Sequence, residues 1–202
     1  MNRALNLILG SASPRRAELL RGVGLSFEVS PADVDESVWD GESAEAYLER
    51  VSQLKLEAVA RSLAAGERRL LLVADTSVVC EETILGKPAD VAQAHEMLLK
   101  LVGREHRVMT CYRLAWYTTS LEPICCRTET TWVAFRHCSS KSLLSYAGTE
   151  EGLDKAGAYA IQGIGAYLVS GIRGSYSNVV GLPVCALVED LERLGVIEDF
   201  PA

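Results

Sequence analysis

Two short apolar runs limit what this chain can fold into. Residues 5–9, within "LNLILG", and the run in "RRLLLVADTSVVC" that ends at Asp75 are apolar on both faces but for Asn6 and the terminal aspartate. Such strands must be covered on both sides, as sheet strands packed between helices are. Helical patterns stand around them. "PRRAELLR", Pro14 to Arg21, has Ser13 at its N-cap and Pro14 at the first helical position. From Ser43 to about Ala64, apolar residues recur at Tyr47, Val51, Leu54, Ala58 and Leu63, which leaves Glu49, Arg50 and Glu57 for solvent. Further helices are expected over Val91–Leu101, Ser140–Ala147 and Pro183–Leu194.

Two longer extended segments, Arg107–Tyr117 and Ile124–Phe135, are separated by "TTSLEP", which reads as a hairpin-like connection. Strands and helices therefore mix without strict alternation. This predicts an α/β fold with a mixed sheet and flanking helices rather than a doubly wound parallel one. No repeat or linker divides the sequence, so residues 1–202 are expected to form one domain.

The charge balance narrows the function. A formal net charge of −7 argues against general nucleic-acid binding, which needs a basic surface to displace counterions. A small anion held by a few local cations is compatible with it. The apolar start is too short to span a bilayer and lacks the pattern of a cleavable leader, which gives a cytoplasmic expectation with no membrane partner. The six cysteines include no C-x-x-C pair, and His95, His106 and His137 are far apart, so neither a zinc site nor a histidine-rich centre has local support.

What remains is a set of polar residues at junctions. In "GSASPRRAELL", Ser13, Arg15 and Arg16 stand where helix-start N–H groups point outward, a place that attracts phosphate. An ordinary capped surface helix has the same pattern. In "VADTSVV", Asp75 and Thr76 close an apolar strand, where a carboxylate can take a proton from water, hold a divalent cation or simply cap a turn. Lys87 in "LGKP" can bring a point charge to a phosphate, although the stretch is not a P-loop. Lys55 is expected to bury its stem and send its head either to water or to a phosphate. Asp33, Asp35 and Glu36 form an acidic loop suited to magnesium or manganese, or merely to solvent.

The densest signal is "DKAGAYAIQGIGAYLVSGIRGSYSNVVGLP", with glycines at 157, 163, 165, 171, 174 and 181 among strand formers. It implies tight turns or close backbone approach to something flat. Gln162 could read a base edge with its amide or satisfy a loop backbone.

Taken in order, "SASPRRAELL", "VADTSVVCEETILGKP", "GREHRVMTC" and "DKAGAYAIQG…GSYSNVVGLP" resemble the Maf family of nucleoside triphosphate pyrophosphatases from about Leu7 to the final helix. The resemblance implies an elongated inosine-triphosphatase-like fold with two lobes around a cleft, often found as a homodimer. It also implies cleavage of a nucleoside triphosphate to the monophosphate and pyrophosphate with a divalent metal, Mg2+ or Mn2+. On this likeness Asp75 accepts the proton of the attacking water and partners the metal, together with Glu36. Ser13, Arg16, Lys55 and Lys87 match phosphate-handling positions, and Arg15, Thr76 and Gln162 match a base-selecting set. Arg15, where relatives acting on 7-methyl-GTP tend to carry an aromatic residue, and the late "DKAGAYAIQG" point to dTTP and UTP, or to modified pyrimidine nucleotides. Val102 and Cys111 depart from the family's usual serine and glycine, away from these residues. A rival reading is a nucleotide-sensing regulator of septum formation or cell division, with hydrolysis weak or incidental.

Overall fold

The computed structural model describes residues 5–198, 200 and 201. Strands β1 (Leu7–Leu9), β2 (Glu28–Val29) and β3 (Arg69–Cys80) contain the two apolar runs, and β1 pairs parallel with both β2 and β3. Burial of both faces follows directly from the alternation of side chains. Leu7, Leu9, Leu70 and Leu72 pack with Ala17 and Leu20 of α1 (Pro14–Gly22) and Leu187 of α6 (Val184–Arg193), while Ile8, Leu71 and Val73 pack with Leu56 and Val59 of α2 (Ala44–Ser62). Each such side chain contributes about 1.5–3 kcal/mol on leaving water.

The expectation that the strand ends at Asp75 is corrected: β3 continues to Cys80. The run after Asp75, Thr-Ser-Val-Val-Cys, is rich in β-branched residues that extend a strand as readily as they follow one. Asp75 is therefore held in mid-strand, at 6 % exposure.

The chain divides into two compact units, one comprising the residues up to Asp75, Thr110–Glu129 and those from Gly181 on, the other comprising Thr76–Met109 and Thr130–Val180. The first holds the packing just described. The second contains β4 (Thr83–Leu85), α3 (Val91–Leu101), α4 (Ser140–Ala147), β7 (Val169–Arg173) and α5 (Tyr176–Val180). Its core joins Leu98 and Leu101 to Leu143, Val133 and Leu168. Strands β5 (Glu105–Tyr117) and β6 (Leu121–Phe135) complete a mixed seven-stranded sheet of order β2-β1-β3-β5-β6-β7, with β4 paired antiparallel to β3. No helix among the described residues is long and apolar enough to cross a membrane.

The glycine-dense stretch resolves into two 3-10 turns, Ala156–Ala158 and Gly163–Leu168, ahead of β7. Gly157 shows why glycine is required: its φ is +70°, and an added Cβ would lie 2.9 Å from a methyl of Val78. At the end of β1, Gly10 is squeezed in the same way, with a Cβ position 2.6 Å from Val59 and 2.7 Å from Val73.

Candidate active site

In the first unit, α2 brings Lys55 to its buried face, between Ser52 and Leu56. Of the two fates expected for its head, water or a phosphate, the first is corrected here. Nζ donates to Asp75 Oδ1 at 2.6 Å and pairs with Glu36 Oε1 at 2.6 Å. The stripe predicted through Leu54 and Ala58 is rotated, since both are only partly buried while Lys55 and Val59 face inward. An apolar residue could occupy Lys55's place with no desolvation cost, so an ion pair this buried is weak evidence of a stabilising role. Its chemistry is more telling. Two carboxylate oxygens, each 2.6 Å from one nitrogen, lie within about 5 Å of each other, close enough to share one cation.

Arg16 sits beneath the same residues. The residue is 8 % exposed; its Nε donates to Gly181 O at 2.8 Å, and Nη1 donates to Ala74 O at 2.8 Å and Ser11 Oγ at 3.0 Å. Burial lowers its pKa from the ordinary value, opposed by the charges of Asp75 and Glu36. Ser11 also accepts from the backbone N–H of Ser13 at 3.2 Å, so the turn before α1 is braced from within. Ser13 has extended N-cap geometry, and its hydroxyl makes no capping bond to the helix. No acidic residue occupies the first turn of α1. The helix start thus keeps its affinity for an anion, with Arg15 half-buried next to it.

Glu36 comes from an irregular stretch between β2 and α2, with its side chain 39 % exposed. Tyr47 of α2 donates its O–H to the Glu36 carbonyl at 3.1 Å. Burial raises the pKa of that phenol, and the charges of Asp75 and Glu36 raise it further, which keeps it a donor. Asp35 receives the backbone N–H of Ser37 at 2.9 Å and so serves the loop's own turn.

Thr76, Lys87 and Gln162 belong to the second unit. Thr76 is half-buried on β3, whereas Lys87 and Gln162 are exposed. Each of the two turns is braced from its own unit. Gly157 donates its N–H to Gly86 O, the residue before Lys87, at 3.1 Å. The turn after Gln162 is held by Glu151, whose carboxylate accepts from the N–H groups of Ile164 and Gly165, both at 2.8 Å, and from Tyr146 O–H at 3.0 Å. Burial works to raise the Glu151 pKa, but the two amides, the Tyr146 hydroxyl and the Lys155 charge together outweigh it and the net shift is downward. Asp75, Lys55, Glu36 and Arg16 are thus brought together within one unit, while Lys87 and Gln162 are set on neighbouring segments of the other.

Sequence reasoning missed Ser11, Tyr47, Glu42 and Arg50, of which the last was expected only to face water. A usable signal existed: Tyr47 and Arg50 are three residues apart on one helix and share a face, close in sequence to the tryptophan of the preceding loop.

Residues 6–194 match the family described as Maf-like protein. The chain is 46% identical to the dTTP/UTP pyrophosphatase of Geotalea uraniireducens over 198 residues, which is 98% of this chain and 100% of that protein. It is 47% identical to the dTTP/UTP pyrophosphatase of Myxococcus xanthus, covering 94% of this chain and 93% of the other. A solved nucleoside-triphosphatase, a dITP/XTP pyrophosphatase from Mycobacterium abscessus, aligns over 98% of this chain and 100% of its own at 13% identity with a TM-score of 0.42.

Proposed function

This chain belongs to the Maf-like protein family, and from that premise we propose that it hydrolyses dTTP and UTP to the nucleoside monophosphate and pyrophosphate in the cytoplasmic nucleotide pool. The observation that carries the reading is identity of 46% along the whole length of a protein named for that activity. The cluster of buried Asp75 and Lys55 with the more exposed Glu36 supplies matching chemistry. Attack of water on a phosphorus needs a proton acceptor, neutralisation of phosphate charge and restricted geometry, not a side-chain nucleophile. Asp75, fixed in mid-strand, accepts the proton. Lys55 and the amides at the start of α1 face the phosphate charge, with Ser13 as a hydroxyl donor. Lys87 adds a further cation, and Arg16, which matches a phosphate-handling position, is assigned instead to holding the strand that carries Asp75, because its Nε and Nη1 are engaged by Gly181, Ala74 and Ser11. In this reading Arg15, Thr76 and Gln162 recognise the base.

The carboxylates also fit a divalent metal. Magnesium and manganese are commonly held by one or two carboxylates together with substrate phosphates and water, and Asp75 and Glu36 present two hard oxygens to one point now taken by the Lys55 ammonium. Among the described residues no group of three or more His, Cys, Asp or Glu forms an all-protein cage. In this reading the metal is held by these two carboxylates together with the triphosphate itself. Bound there, it would neutralise phosphate charge and polarise the phosphoryl oxygens.

The test is pyrophosphate release from a panel of dTTP, UTP, CTP, GTP, ATP and 7-methyl-GTP with Mg2+ or Mn2+, read by phosphorus NMR. Preference for dTTP and UTP with pyrophosphate as the product is the expected result. Orthophosphate as the first product, or preference for a purine nucleotide, overturns the reading.

A further inference from the structure

We propose that Arg50 is a positioning residue that clamps the loop carrying Glu36 and so sets the affinity of the carboxylate pair for a divalent cation; this rests on the function proposed above. Between Ser30 and Ser43 the chain has no helix or strand. A carboxylate on such a segment would wander unless something outside the loop fixed it. Arg50, one turn along α2 from Tyr47, does so through three kinds of contact. Its Nη2 donates to the carbonyl of Ser37, the residue after Glu36, at 2.8 Å. Nε and Nη2 grip Glu42 in a two-pronged pair, both at 2.7 Å. The guanidinium also lies 3.9 Å from the ring centroid of Trp39.

These partners close on one another. Glu42 Oε2 accepts the backbone N–H of Trp39 at 3.1 Å, and Trp39 O accepts the N–H of Glu42 at 3.1 Å. Every side-chain hydrogen bond found for Arg50 goes to the loop and none to its own helix. The pair is well covered, with the Arg50 side chain 15 % and the Glu42 side chain 7 % exposed, although both residues lie at the protein surface. Trp39 remains 60 % exposed, which is explained if its ring serves as a platform for the guanidinium and not as core. Arg50 and Tyr47 together hold the backbone on both sides of the Glu36–Ser37 peptide bond. Only arginine offers a planar fork that can grip a carboxylate, reach a carbonyl and stack on a ring at once. Outer partners of this kind typically change metal affinity or activity by about 10- to 100-fold when removed.

The experiment compares wild type with Arg50→Ala, Arg50→Lys and Glu42→Gln. Three quantities are read: hydrogen exchange of peptides covering residues 33–42, Mn2+ binding by electron paramagnetic resonance in the presence of the α,β-imido analogue of dUTP, and the Mn2+ concentration giving half-maximal dTTP turnover. Faster loop exchange, with Mn2+ affinity weakened about 10- to 100-fold and turnover at saturating Mn2+ largely recovered, is expected for Arg50→Ala. Arg50→Lys and Glu42→Gln should fall between it and wild type. Faster exchange with unchanged Mn2+ binding makes the clamp merely structural and overturns the proposal, as does unchanged exchange. If Arg50→Ala does not fold, Glu42→Gln decides by the same readouts. Wild-type protein that binds Mn2+ with the analogue but turns over neither dTTP nor UTP overturns the proposed function instead, while the exchange and binding arms still judge the clamp.

Discussion

Arg16 Nη1 donates to the carbonyl oxygen of Ala74 at 2.8 Å, one peptide unit before Asp75. The same side chain reaches Gly181 O and Ser11 Oγ. Three acceptors from distant parts of the sequence are therefore tied to one guanidinium beneath the carboxylate.

Arg16→Ala is expected to lower both stability and turnover, and to do so for every nucleotide accepted. Leaving buried acceptors without their charged donor costs about 1–3 kcal/mol for each group left unsatisfied. Thermal unfolding and kcat/KM for dTTP and UTP measure the two effects. Unchanged melting together with a large rise in KM alone would assign Arg16 to phosphate contact and not to holding β3.

Asp75→Asn should leave the fold intact and reduce kcat by about 10²- to 10⁴-fold, the usual cost of losing a general base. Asparagine has the same shape and can still accept from Lys55. Circular dichroism and initial rates decide the matter, and an active, well-folded variant removes Asp75 from the chemistry.

Lys55→Met separates two roles of the ammonium. It takes the resident cation from between two carboxylates, whose oxygens lie within about 5 Å of each other, and so should strengthen binding of Mn2+ in the absence of nucleotide while abolishing most turnover. Electron paramagnetic resonance of Mn2+ with the free protein is the measurement. Weaker binding in Lys55→Met than in wild type would mean that the ammonium holds the carboxylates in place for the metal and does not compete with it.

His106 should make the protein sensitive to acid. The ring is 1 % exposed, Nε2 lies 2.8 Å from Tyr159 O–H, and Nδ1 has no hydrogen-bond partner among the described residues. Phe135 and Tyr159 pack edge-on to it. Burial pushes its pKa down to about 4, below the value of about 6.5 in an unfolded chain. Between these values the unfolded state binds the extra proton, so this contribution to stability is complete above about pH 6.5 and is lost as pH falls toward 4. The loss approaches about 3 kcal/mol at the lower end. Melting temperature against pH should be flatter over that window in His106→Gln than in wild type; parallel curves would exclude the histidine as the cause.

Much of this was legible in the sequence because local patterns and tertiary packing agree. Helices α3 and α4 begin and end where predicted, after Asp90 and Ser139, whose side chains accept from Gln93 N–H and Ser142 N–H. The mixed sheet followed from the apolar runs and the two long extended segments. The misreadings occurred where a polar side chain is buried by a partner remote in sequence. Lys55 looks like a surface lysine until Asp75 and Glu36 are brought to it, and Asp75 looks like a strand terminus because nothing nearby in sequence neutralises it. Arg50 reads as solvent-facing because its partners occupy a loop without periodicity. Pattern reasoning detects apolar faces, whereas these residues are defined by charge pairing across space.

The anchors of the Gln162 turn, Glu151 and Tyr146, lie in the same compact unit as Gln162, whereas Lys55, Glu36 and Arg16 are supported by the core of the other unit. On the assignment proposed above, the Gln162 part of base recognition rests on supports that the hydrolytic residues do not share, whereas Arg15 stands in the same unit as Asp75. Substitutions that remodel the Gln162 turn can therefore accumulate without disturbing the ion pairs around Asp75, so a lineage could retune this one contact to the base while inheriting its hydrolytic apparatus unaltered.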